Sequence, residues 1–275
     1  MATWFITGIS RGLGLSLARA VLAQGHHVYG TVRSGSPDLP ASPNLHVIHL
    51  DVADLTAADQ AIRDACTQAG QIDVLVNNAG YGLLGALENA TDAEIDHLFT
   101  VDVFAPLRLI RSVLPSMRER RSGHIINITS IAGRAPGLGS AVYSTAKAAL
   151  EGLSASLARE LVPLGIKVTA IAPGAFRTDF LSTHSIRKST KANEAYATSV
   201  GRGTAALDAM AGNQLGDPER AAAAIIQVVD SAQPPLHLLL GSDALARARE
   251  KLDAVIEEMD AWETLTRGTD YPSGA

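Results

Sequence analysis

The chain has 275 residues, 47% of them hydrophobic and with a formal net charge of −5, enough to bury a sizeable core but without the cationic surface that nucleic acid requires. Aromatic residues, at 4%, offer few platforms for base stacking, and the single cysteine, Cys66, excludes an internal disulfide framework and fits a reducing, cytoplasmic compartment. No run of 18 apolar residues predicts a membrane span, and Met1-Ala2-Thr3 leads straight into an apolar pattern rather than a signal peptide.

Short apolar runs alternate with stretches of helical period, the pattern of β-α-β units and a parallel sheet. Trp4-Phe5-Ile6 reads as a first strand that ends in a glycine-rich turn. Leu15, Ala18, Val21 and Leu22 then share a helix face, with Gly25 as a stop. Strands follow at His27–Val32 and Leu45–Leu50, then Asp51-Val52 and a helix over about 56–69, in which Cys66 is expected to be small and buried or half-buried. Ile72–Val76 is a fourth strand, running into Asn77-Asn78-Ala79-Gly80. Thr91 and Glu94 form a capping box for a helical stretch carrying Leu98, Val101 and Leu109, which Pro115 is expected to end. His124–Ile128, Ile166–Ala172 and Leu236–Leu240 complete seven strands, with helices over Tyr143–Leu161, from Asp217-Pro218-Glu219 onward, and over Ala244–Leu265. About forty residues between Thr178 and Asp217, polar over Ser182–Asn193, break this rhythm and read as a substrate lid at about 179–216. No linker or repeat is visible, so a single domain over 1–275 is expected.

Two constellations carry chemistry. Thr7-Gly8-Ile9-Ser10-Arg11-Gly12-Leu13-Gly14 lies between a strand and a helix, where glycines let the backbone approach a pyrophosphate at the positive helix end. The spacing G-x-x-x-G-x-G differs from G-x-G-x-x-G, and the turn alone also fits simple helix initiation. The second strand ends in Arg33 with no carboxylate, and Arg11 sits in the turn; both guanidiniums favour a 2′-phosphate, hence NADP over NAD, although Arg33 also fits a solvated terminal arginine. Tyr143 and Lys147 stand one helical turn apart, so an ammonium faces a phenol that alone titrates near ~10. Such a pair can give a proton to a carbonyl or take one from an alcohol, although by itself the spacing also fits a solvated helix face. His26, His27 and His124 open strands and read as structural; with no metal-ligand spacing, no metal site is expected.

Taken together, Thr7–Gly14, Asn77–Gly80, Ser130, Tyr143-x-x-x-Lys147 and Pro173-Gly174-x-x-x-Thr178 resemble the short-chain dehydrogenase/reductase family over nearly the whole chain. The resemblance implies an α/β, doubly wound Rossmann fold with a seven-stranded parallel sheet flanked by helices. It implies a dinucleotide held by Gly8, Ser10, Arg11, Gly12, Leu13, Gly14 and Arg33. Asp51 and Val52 would lie at the adenine, Asn78, Ala79 and Gly80 at a ribose, and Pro173, Gly174 and Thr178 at the nicotinamide and phosphates, with Tyr143 and Lys147 touching the ribose. Tyr143 would be the general acid or base, Lys147 would depress its pKa, and Ser130 would hold the substrate oxygen. Where the family carries asparagine in a stretch resembling V-N-V-F-G-P, this chain has Asp102, which loses an amide donor and is expected to lower turnover or shift its pH dependence. Val28–Arg33 and Pro235–Gly241 look like the branch similar to 17β-hydroxysteroid and retinol dehydrogenases, which suggests a bulky apolar ketone, aldehyde or alcohol. Phe176, Phe180, Leu181 and Tyr196 are expected on one pocket wall and Gly133–Gly139 on the other. The helices over Leu98–Leu114 and Tyr143–Leu161 would join a homodimer or homotetramer. Two other readings stay open: a cofactor-binding sensor or scaffold with little turnover, and an epimerase or dehydratase using the same Tyr-Lys pair.

Overall fold

The computed structural model describes residues 1–182, 185–189 and 193–271. The first half of the chain gives β1 (Thr3–Ile6), α1 (Gly12–Ala23), β2 (His27–Val32), β3 (Leu45–His49), α2 (Leu55–Ala69), β4 (Val74–Asn77), β5 (Gly82–Leu84), α3 (Asp92–Phe99) and α4 (Ala105–Arg120). The second half gives β6 (Gly123–Ile128), α5 (Ile131–Arg134), α6 (Ala141–Leu161), β7 (Ile166–Pro173), β8 (Ile186–Lys188), α7 (Arg202–Met210), α8 (Pro218–Asp230), β9 (His237–Leu240) and α9 (Ser242–Arg267). Seven strands form one parallel sheet in the order β3-β2-β1-β4-β6-β7-β9, the doubly wound Rossmann arrangement.

Alternation along the central strands explains why both sheet faces are covered. Trp4 and Ile6 point to one side, into a cluster with Leu17 and Val21 of α1 and Ile225 of α8. Phe5 points to the other, with Ile62 of α2, Leu109 and Met117 of α4 and Leu157 of α6. Each large side chain removed from water in these layers contributes roughly 1.5–3 kcal/mol.

One expectation needs correction, and two others gain detail. The helical stretch after Thr91 is helical throughout but not α throughout: α3 and α4 are joined by a π-helical turn over Thr100–Phe104, whose extra residue rotates the register so that Val101, Asp102 and Val103 are all buried. Nor does Pro115 end that stretch, because α4 runs on to Arg120 with the proline inside it. Pro115 sits at an exposed position, while Val113 and Met117, fully buried on the opposite side, hold the helix through the defect. The segment after Thr178, expected as a lid, carries regular structure. It holds a 3-10 turn at Asp179–Leu181, then β8, which pairs with β5 in a second small parallel sheet, and then α7. Residues 183, 184 and 190–192 of the expected lid lie outside the described residues.

Candidate active site

The strand order reverses direction between β1 and β4, which opens a crevice beyond their carboxyl ends. The two glycine-containing turns Thr7–Gly14 and Asn77–Gly80 meet there. The Thr7 hydroxyl accepts the backbone N–H groups of Asn78 and Ala79, each at 2.9 Å, and the Asn78 amide donates to the carbonyls of Thr7 (2.8 Å) and Gly8 (3.0 Å). From the next strand, Thr31 Oγ1 accepts the Gly8 N–H at 3.0 Å. Gly8 and Gly12 have φ of 73° and 59°, a conformation that suits glycine, and a side chain at Gly14 would run into the Gly8 carbonyl. Arg11, at the start of α1, makes no side-chain cap and no acid occupies the first turn, so this helix end turns unneutralised N–H groups toward the crevice. That is a seat for a phosphate. At the end of β2 the crevice is lined by Thr31, Arg33 and Ser34 without a carboxylate, and the exposed Arg33 suits a further phosphate. The residues present therefore fit a phosphorylated dinucleotide.

The second half of the site comes from α6, the turn after β6, and the π turn. Tyr143 and Lys147 are both buried one turn apart on α6. Ser130 stands on the same side as the Tyr143 phenol and lowers its pKa, and its oxygen accepts the Ala132 N–H at 3.1 Å. Lys147 Nζ lies 5.7 Å from the Tyr143 ring centre, donates to the Ile128 carbonyl at 3.2 Å and forms an ion pair with Asp102 Oδ2 at 3.1 Å. Asp102 Oδ1 accepts the Tyr81 N–H at 3.2 Å. A Cβ at Gly80 would stand 3.2 Å from Asp102 Oδ2 and 3.3 Å from Lys147 Nζ, so glycine leaves room for this pair. Burial raises the Asp102 carboxyl above its ordinary range, against the pull of Lys147; burial would lower Lys147, but Asp102 and Tyr143 together hold it above its usual value. Lys147 does pull the Tyr143 phenol downward, as expected, but burial outweighs it. Burial raises the phenol and the Asp102 charge adds to it, so the lowering pulls of Lys147 and Ser130 do not prevail.

Both halves open onto one cavity of about 860 Å³ that runs from Arg33 to Tyr143. The model of the short chain dehydrogenase family matches residues 2–189, well over half the chain. The chain belongs to the short-chain dehydrogenase/reductase family. Among curated relatives of this dehydrogenase, a 3-ketodihydrosphingosine reductase of Bacteroides thetaiotaomicron is 37% identical over 86% of both chains. Retinol dehydrogenase 8 of Bos taurus is 33% identical over 85% of this chain and 80% of its own. Among solved structures, a short-chain dehydrogenase from Streptomyces avermitilis superposes with a TM-score of 0.89 at 42% identity, covering 98% of each chain. A serine dehydrogenase complexed with NADP+ reaches a TM-score of 0.72 at 27% identity over 86% of this chain and 94% of that one. The protein is thus an oxidoreductase of this family, with the doubly wound parallel sheet of its structural neighbours.

Every residue named from the sequence as a cofactor contact lines the dehydrogenase's cavity, as do Ser130, Tyr143 and Lys147; Asp102 does not, standing behind Lys147. Of the expected pocket walls, Phe176, Phe180 and Leu181 line it. Tyr196 does not: it is turned to the Glu88 carboxylate, to which its hydroxyl donates at 2.9 Å. The opposite wall is shorter than Gly133–Gly139. Only Pro136, Gly137 and Leu138 of that stretch reach the cavity, whereas Gly133 presses on the α6 backbone beside Lys147. Sequence reasoning missed Leu207 and Met210 of α7 and Asp243 and Arg247 of α9, which also line it. Asp243 Oδ2 accepts the Ala175 N–H at 2.7 Å and so ties α9 to the turn after β7. No local motif marks these residues, since only the return of α7 and α9 over the sheet edge brings them in.

Proposed function

We propose that the enzyme interconverts a bulky apolar ketone or aldehyde and its alcohol with NADP(H), with Tyr143 as general acid and base. The observation that carries this reading is the single cavity in which the uncapped start of α1 and the Ser130–Tyr143–Lys147 cluster face the same space. A bound nicotinamide supplies hydride to the carbonyl carbon, or removes it from the alcohol carbon. The chain's residues handle the oxygen. Ser130 and the Tyr143 phenol both donate hydrogen bonds to it, and the phenol passes its proton as negative charge develops there. The resulting phenolate is met by the Lys147 ammonium and the Ser130 hydroxyl. In the oxidative direction the phenolate takes the alcohol proton back. Leu84, Leu138, Phe180, Leu181, Leu207 and Met210 give the substrate end an apolar lining, which supports a bulky hydrocarbon partner.

The names of two relatives, a reductase of a keto compound and a retinol dehydrogenase, support a carbonyl–alcohol pair as the reacting group. Arg33 and Ser34 at the end of β2, together with the NADP-bound neighbour, support NADP(H) as the preferred cofactor. The test is NADPH and NADH oxidation with steroid-like, retinoid-like and aryl ketones, run on the wild-type chain and on Tyr143→Phe. The variant is expected to lose about 10²–10⁴-fold in kcat with NADPH binding retained, and full-speed turnover without the phenol would end the proposal. One observation favours a slower, cofactor-sensing alternative: Asp102 neutralises Lys147 in the core of the site. Measurable NADPH binding with no turnover across the whole panel would select it.

A further inference from the structure

Strand β8 brings two neighbouring cations to the small sheet beside the cavity, and the chain matches only one of them with an acid. Pairing with β5 sets Ile186 beside Gly82, Arg187 beside Leu83 and Lys188 beside Leu84. Lys188 Nζ donates to both carboxylate oxygens of Asp208 on α7, at 3.0 and 2.7 Å. Arg187 forms no ion pair among the described residues. It lines the cavity, with its guanidinium 4.6 Å from the centre of the Tyr81 ring. That ring is itself fixed. Tyr81 is buried, packs against His97 with 5.6 Å between ring centres, and gives its N–H to Asp102, the partner of Lys147.

The charge of Arg187 is not cancelled nearby. Burial pushes the Tyr81 phenol up to about 12, against the pull of Arg187, so the ring is neutral and supplies no counter-ion. Of the carboxylates that act on Tyr81, Asp102 is matched by Lys147, and Glu94 accepts the Thr91 N–H and hydroxyl. Asp179 also lines the cavity but makes no ion pair with Arg187. A guanidinium held over an aromatic face keeps its N–H fork for a planar anion, and a single fork matches a single carboxylate. The surroundings say what kind of molecule would carry that anion. The Phe180 ring lies 6.2 Å from the Tyr143 ring, and a Cβ at Gly82 would stand 3.8 Å from Phe180 and 3.2 Å from Ile186. An apolar track therefore runs from the reacting phenol, past Phe180 and Gly82, to the strand that holds Arg187.

We propose that Arg187 selects an acidic substrate, a ketone or alcohol whose apolar body ends in a carboxylate that this guanidinium binds. The inference rests on the carbonyl–alcohol reading above and narrows its substrate class. The experiment offers β-benzoylpropionic, γ-benzoylbutyric and δ-benzoylvaleric acids and their methyl esters, with NADPH, to the wild type, Arg187→Gln and Arg187→Lys. Circular dichroism confirms that each variant keeps its fold. The wild type is expected to prefer at least one acid over its ester by about 10-fold in kcat/KM, through KM rather than kcat. Arg187→Gln should abolish that preference, and Arg187→Lys should keep part of it. Equal kcat/KM for acid and ester across the series in the wild type would overturn the proposal, as would a preference that survives Arg187→Gln. Failure to turn over any of these ketones would count against the carbonyl–alcohol reading instead, and binding then decides the role of Arg187. Calorimetric titration with δ-phenylvaleric acid, which lacks the ketone, should show about 10-fold weaker binding to Arg187→Gln than to the wild type. Equal affinity, or no binding to the wild type, would overturn the proposal.

Discussion

Asp102 gives the site an electrostatic character of its own. The groups that face Tyr143 are Lys147 on its own helix, Ser130 from the turn after β6 and Asp102 from the π turn, with His97 of α3 acting on Asp102. Burial raises the phenol first, the Asp102 charge raises it further, and Lys147 and Ser130 pull the other way. In the proposed reaction, reduction requires the protonated phenol and fails as pH rises through its pKa, whereas oxidation requires the phenolate and grows over the same range. A raised pKa therefore extends reduction toward alkaline pH and delays oxidation. Asp102→Asn removes the negative charge but keeps an oxygen to accept the Tyr81 N–H, so both limbs should move to lower pH. The pH dependence of kcat/KM in the two directions measures this, and superimposable profiles would take Asp102 out of the chemistry. That residue 102 departs from the family pattern was legible in the sequence. Its direct ion pair with Lys147 was not, because the pair depends on the π turn that swings the carboxylate inward.

At the level of elements, legibility followed the source of the stabilising interactions. Strands buried on both faces, such as β6, and helices with a side-chain cap, such as α3 with Thr91 and α8 with Asp217, announced themselves through apolar runs and capping residues. β5 and β8 did not, since three residues apiece carry no period and owe their pairing to the turn that brings Ile186 beside Gly82. Pro115 misled for a related reason: a local breaker was overridden by packing two residues to either side. The override leaves a testable reserve. At this exposed position the ring removes the hydrogen bond to the Arg111 carbonyl and crowds it. Pro115→Ala should restore that bond without touching the core, stabilising the fold by about 1–3 kcal/mol, less than the full helix-interior penalty because α4 already accommodates the ring. Urea unfolding would read this as a higher midpoint at unchanged slope, and a lower midpoint would mean that the proline stabilises α4 by restricting the unfolded chain.

The molecule as a whole depends on a sheet covered on both faces, and one titrating group lies inside that arrangement. His124 lies near the start of β6 next to β7, is almost fully buried, and has Nε2 within 3.0 Å of Thr169 Oγ1, while its Nδ1 has no hydrogen-bond partner among the described residues. Burial, helped by the charge of Lys167, lowers its pKa to about 4. A sequence reading places His124 as structural, and this environment keeps it neutral. The consequence is global. Above about pH 6.5 the imidazole is neutral in both folded and unfolded chains and contributes no pH dependence. As pH falls from there toward about 4, the unfolded chain takes up a proton that the folded chain refuses, so stability declines; below about 4 both states are protonated and the decline from this group stops. The gap between the two pKa values corresponds to a loss of about 3 kcal/mol, a large share of the stability of a typical domain. His124→Phe, which fills a comparable space beside Thr169 without titrating, should flatten the fall in unfolding free energy between pH 6.5 and 4 while leaving carboxylate-driven losses at lower pH. Urea titrations at half-unit pH intervals would measure it. An equally steep decline in the variant would place the acid sensitivity in other groups and refute the assignment to this histidine.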